Sequence, residues 1–199
     1  ADPQAPPFLV VAPASVLPVW AAEAERFAPG LDLRVLDATA ARRRQSVAEA
    51  AKGADVVVTS YTVLRLDDQQ FREPQWDGLV LDEAQFVKNR ATRAHRAARD
   101  LRARFRLAIT GTPLENSLTD LWSLLALTVP GLFPSPRTFR EEYVAPIEQP
   151  DDSDSGRRRA GERLDRLRRR IRPFMLRRTK ELVASDLPEK QEQVVRVPL

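Results

Sequence analysis

Apolar and polar positions along this chain fall into short runs that alternate between two periods. Phe8-Leu9-Val10-Val11-Ala12, Leu33 to Leu36, Asp55 to Tyr61, Gly78 to Leu81 and Leu107 to Ile109 read as strands, most of them apolar on both faces. Strands covered on both sides belong to parallel sheets. Between them the spacing turns helical. Val16, Trp20, Glu23/Ala24 and Phe27 approximate one face, a short helix fits Ser46 to Ala51, and Ala94, Ala98 and Leu101 stripe a helix from Thr92 to Arg104. On this reading Ser15 caps the first helix, Trp20 is core, and His95, off its stripe, lies at the surface. Ser117-Leu118-Thr119-Asp120 predicts a capping box opening a helix with Leu118, Leu121, Trp122 and Leu125 on its buried face, ended by Pro130-Gly131. Residues 149 to 156 read as a loop. Leu164, Leu167 and Ile171 then recur at helical spacing until Pro173 breaks the pattern. The fold class that follows is α/β: a mostly parallel sheet flanked by helices, with a helical protrusion.

Composition narrows the picture. A chain of 199 residues with 43% apolar content buries one sizeable core, with room for a helical appendage. No cysteine is present, which excludes disulfides and thiolate metal sites and fits a cytoplasmic or other intracellular setting. The longest apolar region, Phe8 to Ala22, is interrupted by Pro13, Ser15 and Pro18, and Ala1-Asp2-Pro3-Gln4 carries no basic leader. Neither a membrane span nor a signal peptide is predicted. The net charge of +4 hides an asymmetry, since residues 157 to 180 hold twelve Lys/Arg against two acids. Such a block suits a polyanion partner or a solvated helix docked by its apolar stripe.

The candidate chemistry sits at strand ends. Gly78 to Leu81 delivers Asp82 and Glu83 where ligands of open α/β sheets collect. A carboxylate pair there suits phosphoryl transfer: one acid holds the magnesium of a nucleoside triphosphate, and its neighbour orients and deprotonates water. A second strand ends in Thr110-Gly111-Thr112-Pro113-Leu114-Glu115-Asn116, and two such ends suggest one composite site.

In this combination and order the motifs resemble those of the Swi/Snf-type DNA-translocating ATPases of helicase superfamily 2, from about Phe8 to the end of the chain. Asp82-Glu83-Ala84-Gln85 is similar to the family's Walker B motif, with Gln85 where many members carry histidine. Thr110, Gly111 and Thr112 resemble its motif III, with Asn116 in the extension. The resemblance implies ATP and Mg2+, with Asp82 as the metal acid and Glu83 as the base, and Gln85 bonding across to motif III. It also implies duplex DNA as a partner. Pro13 and Ser15 match motif Ia, and Thr59, Ser60 and Tyr61 match motif Ib, both contacts to the DNA backbone. Arg172-Pro173-Phe174-Met175-Leu176-Arg177-Arg178-Thr179-Lys180 and Leu187-Pro188-Glu189-Lys190 match the signature between the family's two ATPase lobes.

Implied boundaries are a disordered lead-in over 1–7, a partial first RecA-like lobe over 8–129, the protrusion and basic helix over 130–180, and a linker toward a second lobe over 181–199. A phosphate-binding loop is not found, because none of the seven glycines is followed by Lys-Ser or Lys-Thr. The chain therefore reads as an incomplete P-loop lobe, inactive alone, with an unfilled gap inside its sheet through which copies self-associate. A catalytically silent nucleic-acid-binding module and a protein-docking scaffold are the alternatives.

Overall fold

The computed structural model describes residues 5–111 and 117–178. Five strands form one all-parallel sheet: β1 (Phe8–Ala12), β2 (Leu33–Leu36), β3 (Val56–Ser60), β4 (Trp76–Leu81) and β5 (Ala103–Ala108), in the spatial order β2-β3-β1-β4-β5. The chain runs from β1 to the β2 edge, back through β3, and then crosses to β4 and β5. That places the strand ends after β1 and β4 side by side. Phe8 lies opposite Gly78, and its ring covers the glycine so closely that a Cβ there would stand 2.2 Å from a ring carbon. Gly78 is thus a packing requirement of the strand that carries the carboxylates.

Helices cover both faces. α1 (Leu17–Phe27) closes one face over a small cluster of Val10, Ala12, Leu17, Val58 and Val80. Five helices serve the other side: α2 (Ala40–Arg43), α3 (Val47–Ala51), α4 (Tyr61–Leu66), α5 (Asp68–Arg72) and α6 (Arg93–Asp100). That face has the larger core, with Leu9, Val11, Val57, Leu64, Phe71 and Trp76 fully enclosed. Ser46 opens α3 with the reciprocal capping box that its Glu49 completes.

α7 (Leu118–Thr128) joins two cores, turning Leu124 and Leu127 toward the sheet and Leu121, Trp122 and Leu125 toward a second cluster. That cluster is built with α8 (Pro136–Phe139), α9 (Ala145–Glu148) and α10 (Asp154–Ile171), and packs Phe133, Phe139 and Tyr143 edge-on or tilted at 4.9 to 5.7 Å between ring centres. A π turn over Arg140–Val144 links α8 to α9, next to Pro146, whose missing N–H interrupts the regular ladder. In α10, Leu167 and Ile171 are buried while most arginines face solvent, and Arg170 caps Leu132 O at 3.0 Å and lies over the Phe133 ring.

Several expectations are corrected. The helix read from Thr92 to Arg104 stops at Asp100, and β5 begins at Ala103 rather than Leu107. Ser15 is no cap: a 3-10 turn over Ala14–Val16 makes Val16 the N-cap of α1, without a side-chain bond. His95 is buried, its Nδ1 2.7 Å from Val87 O. The loop over 149 to 156 already contains the start of α10, where Ser153 accepts the N–H of Gly156 at 3.0 Å. No gap interrupts the five described strands either, because β1 pairs with both β3 and β4. The strand Gln193 to Val197 and the linker lie outside the described residues.

Candidate functional site

Asp82 and Glu83 follow β4, whose last four residues, Gly78 to Leu81, are all buried. The ladder continues past the strand: the N–H of Asp82 donates to Val11 O at 2.8 Å, and that of Ile109 to Leu81 O at 2.8 Å. Burial on both faces and bonds on both edges leave the backbone at Asp82 one position. Glu83 then takes a left-handed conformation, φ 49° and ψ 52°, before a 3-10 turn over Ala84–Val87. A non-glycine residue pays for that conformation by about 1–2 kcal/mol, and it turns the Glu83 side chain out of the strand direction.

Around this corner the polar groups converge. Tyr61 stacks on Phe86 and donates its hydroxyl to Asp82 O at 2.7 Å. Burial, with the Asp82 and Glu83 charges beside it, holds that phenol far above its ordinary pKa, so it stays a donor. The Glu83 carboxylate accepts Gln85 Nε2–H at 2.7 Å, and Gln85 Oε1 accepts the hydroxyl of Thr110 at 2.8 Å. One amide therefore joins the ends of β4 and β5. Lys88 pairs with Asp120 at 3.0 Å, and Arg90 lies over the Trp122 ring, tying the turn to α7.

The Asp82 carboxylate has its own partners. Oδ1 accepts the Glu83 N–H at 3.0 Å, and Oδ2 accepts the indole N–H of Trp20 at 2.9 Å. Trp20 belongs to α1, 62 residues away, and hydrophobic spacing gave no sign of this role. Among the described residues no group of three or more His, Asp or Glu side chains could cage a metal. Asp82 alone fits a different arrangement, the one magnesium favours: one or two carboxylates, with waters and substrate phosphates completing the shell.

The other site candidates divide. Pro13 and Ser15 lie in the loop after β1, with Ser15 exposed. Thr59 is fully buried and donates to Leu36 O at 2.8 Å, while Ser60 accepts the Val63 N–H to cap α4. With Tyr61 bonded to Asp82 O, all three hydroxyls bond the fold's own backbone. Gly111 is exposed, whereas Thr112 and Asn116 lie outside the described residues. No helix among the described residues is long and apolar enough to cross a membrane.

A family model described as SNF2-related domain matches residues 2–199. The chain belongs to this SNF2-related family. Its fold agrees: the SWI2/SNF2 ATPase core of Sulfolobus solfataricus, solved in complex with dsDNA, superposes with a TM-score of 0.76 at 35% identity, covering 92% of this chain and 36% of that one. The five-stranded sheet thus matches part of the RecA-like core of that SWI2/SNF2 ATPase. A putative ATP-dependent helicase/translocase of Bacillus subtilis, YwqA, is 39% identical over 98% of this chain and 21% of its own length. The chromatin-remodeling ATPase INO80 of Schizosaccharomyces pombe is 37% identical over 95% of this chain and 12% of its own. This SNF2-related chain spans about a fifth or less of the length of these relatives.

Proposed function

We propose that this chain supplies the metal-holding and water-activating half of an ATP hydrolysis site in a protein that moves along duplex DNA. The observation that carries the reading is the Glu83–Gln85–Thr110 chain of hydrogen bonds beside Asp82, at the carboxyl ends of two adjacent parallel strands. A pure binding module has no use for an acid pair held in this way.

In this reading Asp82 holds Mg2+ and Glu83 accepts the proton of the attacking water. Magnesium supplies charge neutralisation across the phosphates when Mg-ATP is bound. Gln85 fixes the Glu83 carboxylate and reports the position of Thr110, so a shift at the end of β5 is felt at the base. The exposed loop at Pro13 and Ser15, one strand away from β4, meets the DNA backbone, and the arginines of α10 add attraction without sequence readout. Thr112 and Asn116 complete motif III and its DNA contact. A second RecA-like lobe closes over the site, and duplex DNA as partner favours a setting inside the cell. The exposed Phe105 and Leu107 of β5, with Ile109 just after it, are the surface through which the isolated chain would self-associate.

The test uses the intact protein with ATP, magnesium and duplex DNA. Glu83→Gln should keep Mg-ATP binding and lower turnover by roughly 10² or more, the scale of a lost general base. Asp82→Ala should weaken Mg-ATP binding itself. Normal turnover in Glu83→Gln would overturn the assignment.

A further inference from the structure

A tryptophan aimed at a carboxylate is more than packing demands. Trp20 lies against Val10, Ala12, Leu17, Val58 and Val80, a cluster that any large apolar side chain could fill. Its indole N–H nevertheless ends 2.9 Å from Asp82 Oδ2. Indole is a donor only, on a flat and rigid body, so it can orient an acceptor without competing for a cation as an acceptor would. With Oδ1 already held by the Glu83 N–H at 3.0 Å, the two bonds fix both torsions of the Asp82 side chain and leave a free lone pair on each oxygen.

Resting on the assignment of Asp82 as the metal acid, we propose that Trp20 is a positioning residue that presets the metal-holding carboxylate. Trp20 sits in the first turn of α1, which starts at Leu17, two residues beyond Ser15. One helix therefore carries the exposed loop at its root and the carboxylate's partner one turn on. Groups that hold a metal ligand from behind matter nearly as much as the ligand: losing one typically weakens metal binding or activity by roughly 10- to 100-fold.

The test replaces the indole by its sulfur isostere, β-(3-benzothienyl)-alanine, which keeps the shape and removes the donor, with Trp20→Phe alongside. Binding of Mn2+ to the intact protein is followed by electron paramagnetic resonance with a non-hydrolysable ATP analogue present. The Mg2+ dependence of hydrolysis is measured separately. The isostere should melt at the wild-type temperature, bind Mn2+ about 10-fold more weakly, and require about 10-fold more Mg2+, while kcat at saturating Mg2+ stays within about twofold. Unchanged metal binding in the isostere, with metal binding lost in Asp82→Ala, would overturn the role of Trp20. A fall in kcat at unchanged metal affinity would overturn it too, by assigning Trp20 to packing. Unchanged metal binding in Asp82→Ala would instead bring down the site reading itself, and this inference with it.

Discussion

β4 and β5 are parallel neighbours that deliver their last residues to one corner, yet they are held there by different means. β4 is enclosed: five of its six residues are buried, and its exit is pinned by Tyr61 on Asp82 O, Trp20 on the Asp82 carboxylate and His95 on Val87 O. β5 is paired on one side among the described strands and shows Phe105 and Leu107 about half exposed, at 52% and 41%. Beyond its ladder with β4, one side chain ties it to the helices. Arg106 reaches across to the carbonyls of Ala98, Arg99 and Leu101 at the end of α6 and of Leu127 at the end of α7. Helix C-termini carry partial negative charge and orphan carbonyls, so a guanidinium there suits both. Burial pushes the Arg106 pKa down, but an arginine starts high enough to stay charged. The enclosed strand leads into the acids, and the more exposed one leads into Thr110, whose hydroxyl Gln85 accepts.

The comparison breaks most readily at Gly78. Gly78→Val would drive a branched side chain into the half-buried Phe8 ring, which must be displaced from the face of β4. Such overpacking should cost about 3 kcal/mol. In a chain of this size that lowers the melting temperature by roughly 6–12 °C. A loss below about 1 kcal/mol would mean that the Phe8 ring swings aside freely and that its cover over Gly78 does not hold β1 against β4.

Arg106→Met tests the other strand. It keeps much of the apolar stem but strips the donors from carbonyls at two helix ends, which should cost about 2 kcal/mol. Arg104, two residues earlier, is a control on the same strand: its side chain is 77% exposed and only 3.5 Å from Asp77. Arg104→Met should change stability by less than about 0.5 kcal/mol. Urea denaturation of both variants decides the matter. Equal losses would remove the special status of Arg106.

Thr110→Val sharpens the link between the two ends. It removes the hydroxyl that Gln85 Oε1 accepts while keeping the shape, and should leave Mg-ATP affinity near wild type but lower turnover about 10-fold. A matching loss of Mg-ATP affinity would mean that Thr110 supports the metal side directly.

The contrast between the strands is also the contrast in what could be read beforehand. β1, β3 and β4 announced themselves as apolar runs, because a strand enclosed on both faces has nothing else to be. β5 did not. Ala103-Arg104-Phe105-Arg106 continues the Ala/Arg composition of the helix before it, and the strand there rests on tertiary partners, the β4 ladder and the carbonyls that Arg106 reaches. The carboxylate pair was legible from its place after an apolar run. Its partners were not: Trp20 lies 62 residues away from Asp82, and periodicity reports which face is apolar, not where a polar tip on that face points. Thr59 and Ser60 are ambiguous in the sequence for a related reason. Hydroxyls at a strand end serve equally as phosphate contacts or as bonds to the fold's own backbone, and here Leu36 O and the Val63 N–H claim them.

The smallest effect should come from His95, placed at the surface by its spacing and found inside. Its ring bonds Val87 O, at the end of the 3-10 turn that Glu83 opens, and so braces the site-bearing corner from α6. Burial is the main cause that lowers its pKa; the Val87 carbonyl and Asp100 oppose it, and Arg90 and Arg99 reinforce it. The sign follows from where the proton goes. Below about pH 6.5 the unfolded chain takes up a proton that the folded chain resists. Stability contributed by neutral His95 is therefore complete above that pH and is lost as the pH falls from it toward the folded value. The slope cannot exceed about 1.4 kcal/mol per pH unit, one proton's worth. His95→Gln retains a donor for Val87 O and removes the titration, so the difference between the two proteins isolates the ring from the carboxylates, which titrate lower. Urea melts from about pH 8 to about pH 5 should show the wild type losing ground to His95→Gln on acidification. Parallel profiles would mean that the corner opens enough to let the ring protonate in place, and that β4's exit is braced by Tyr61 and Trp20 alone.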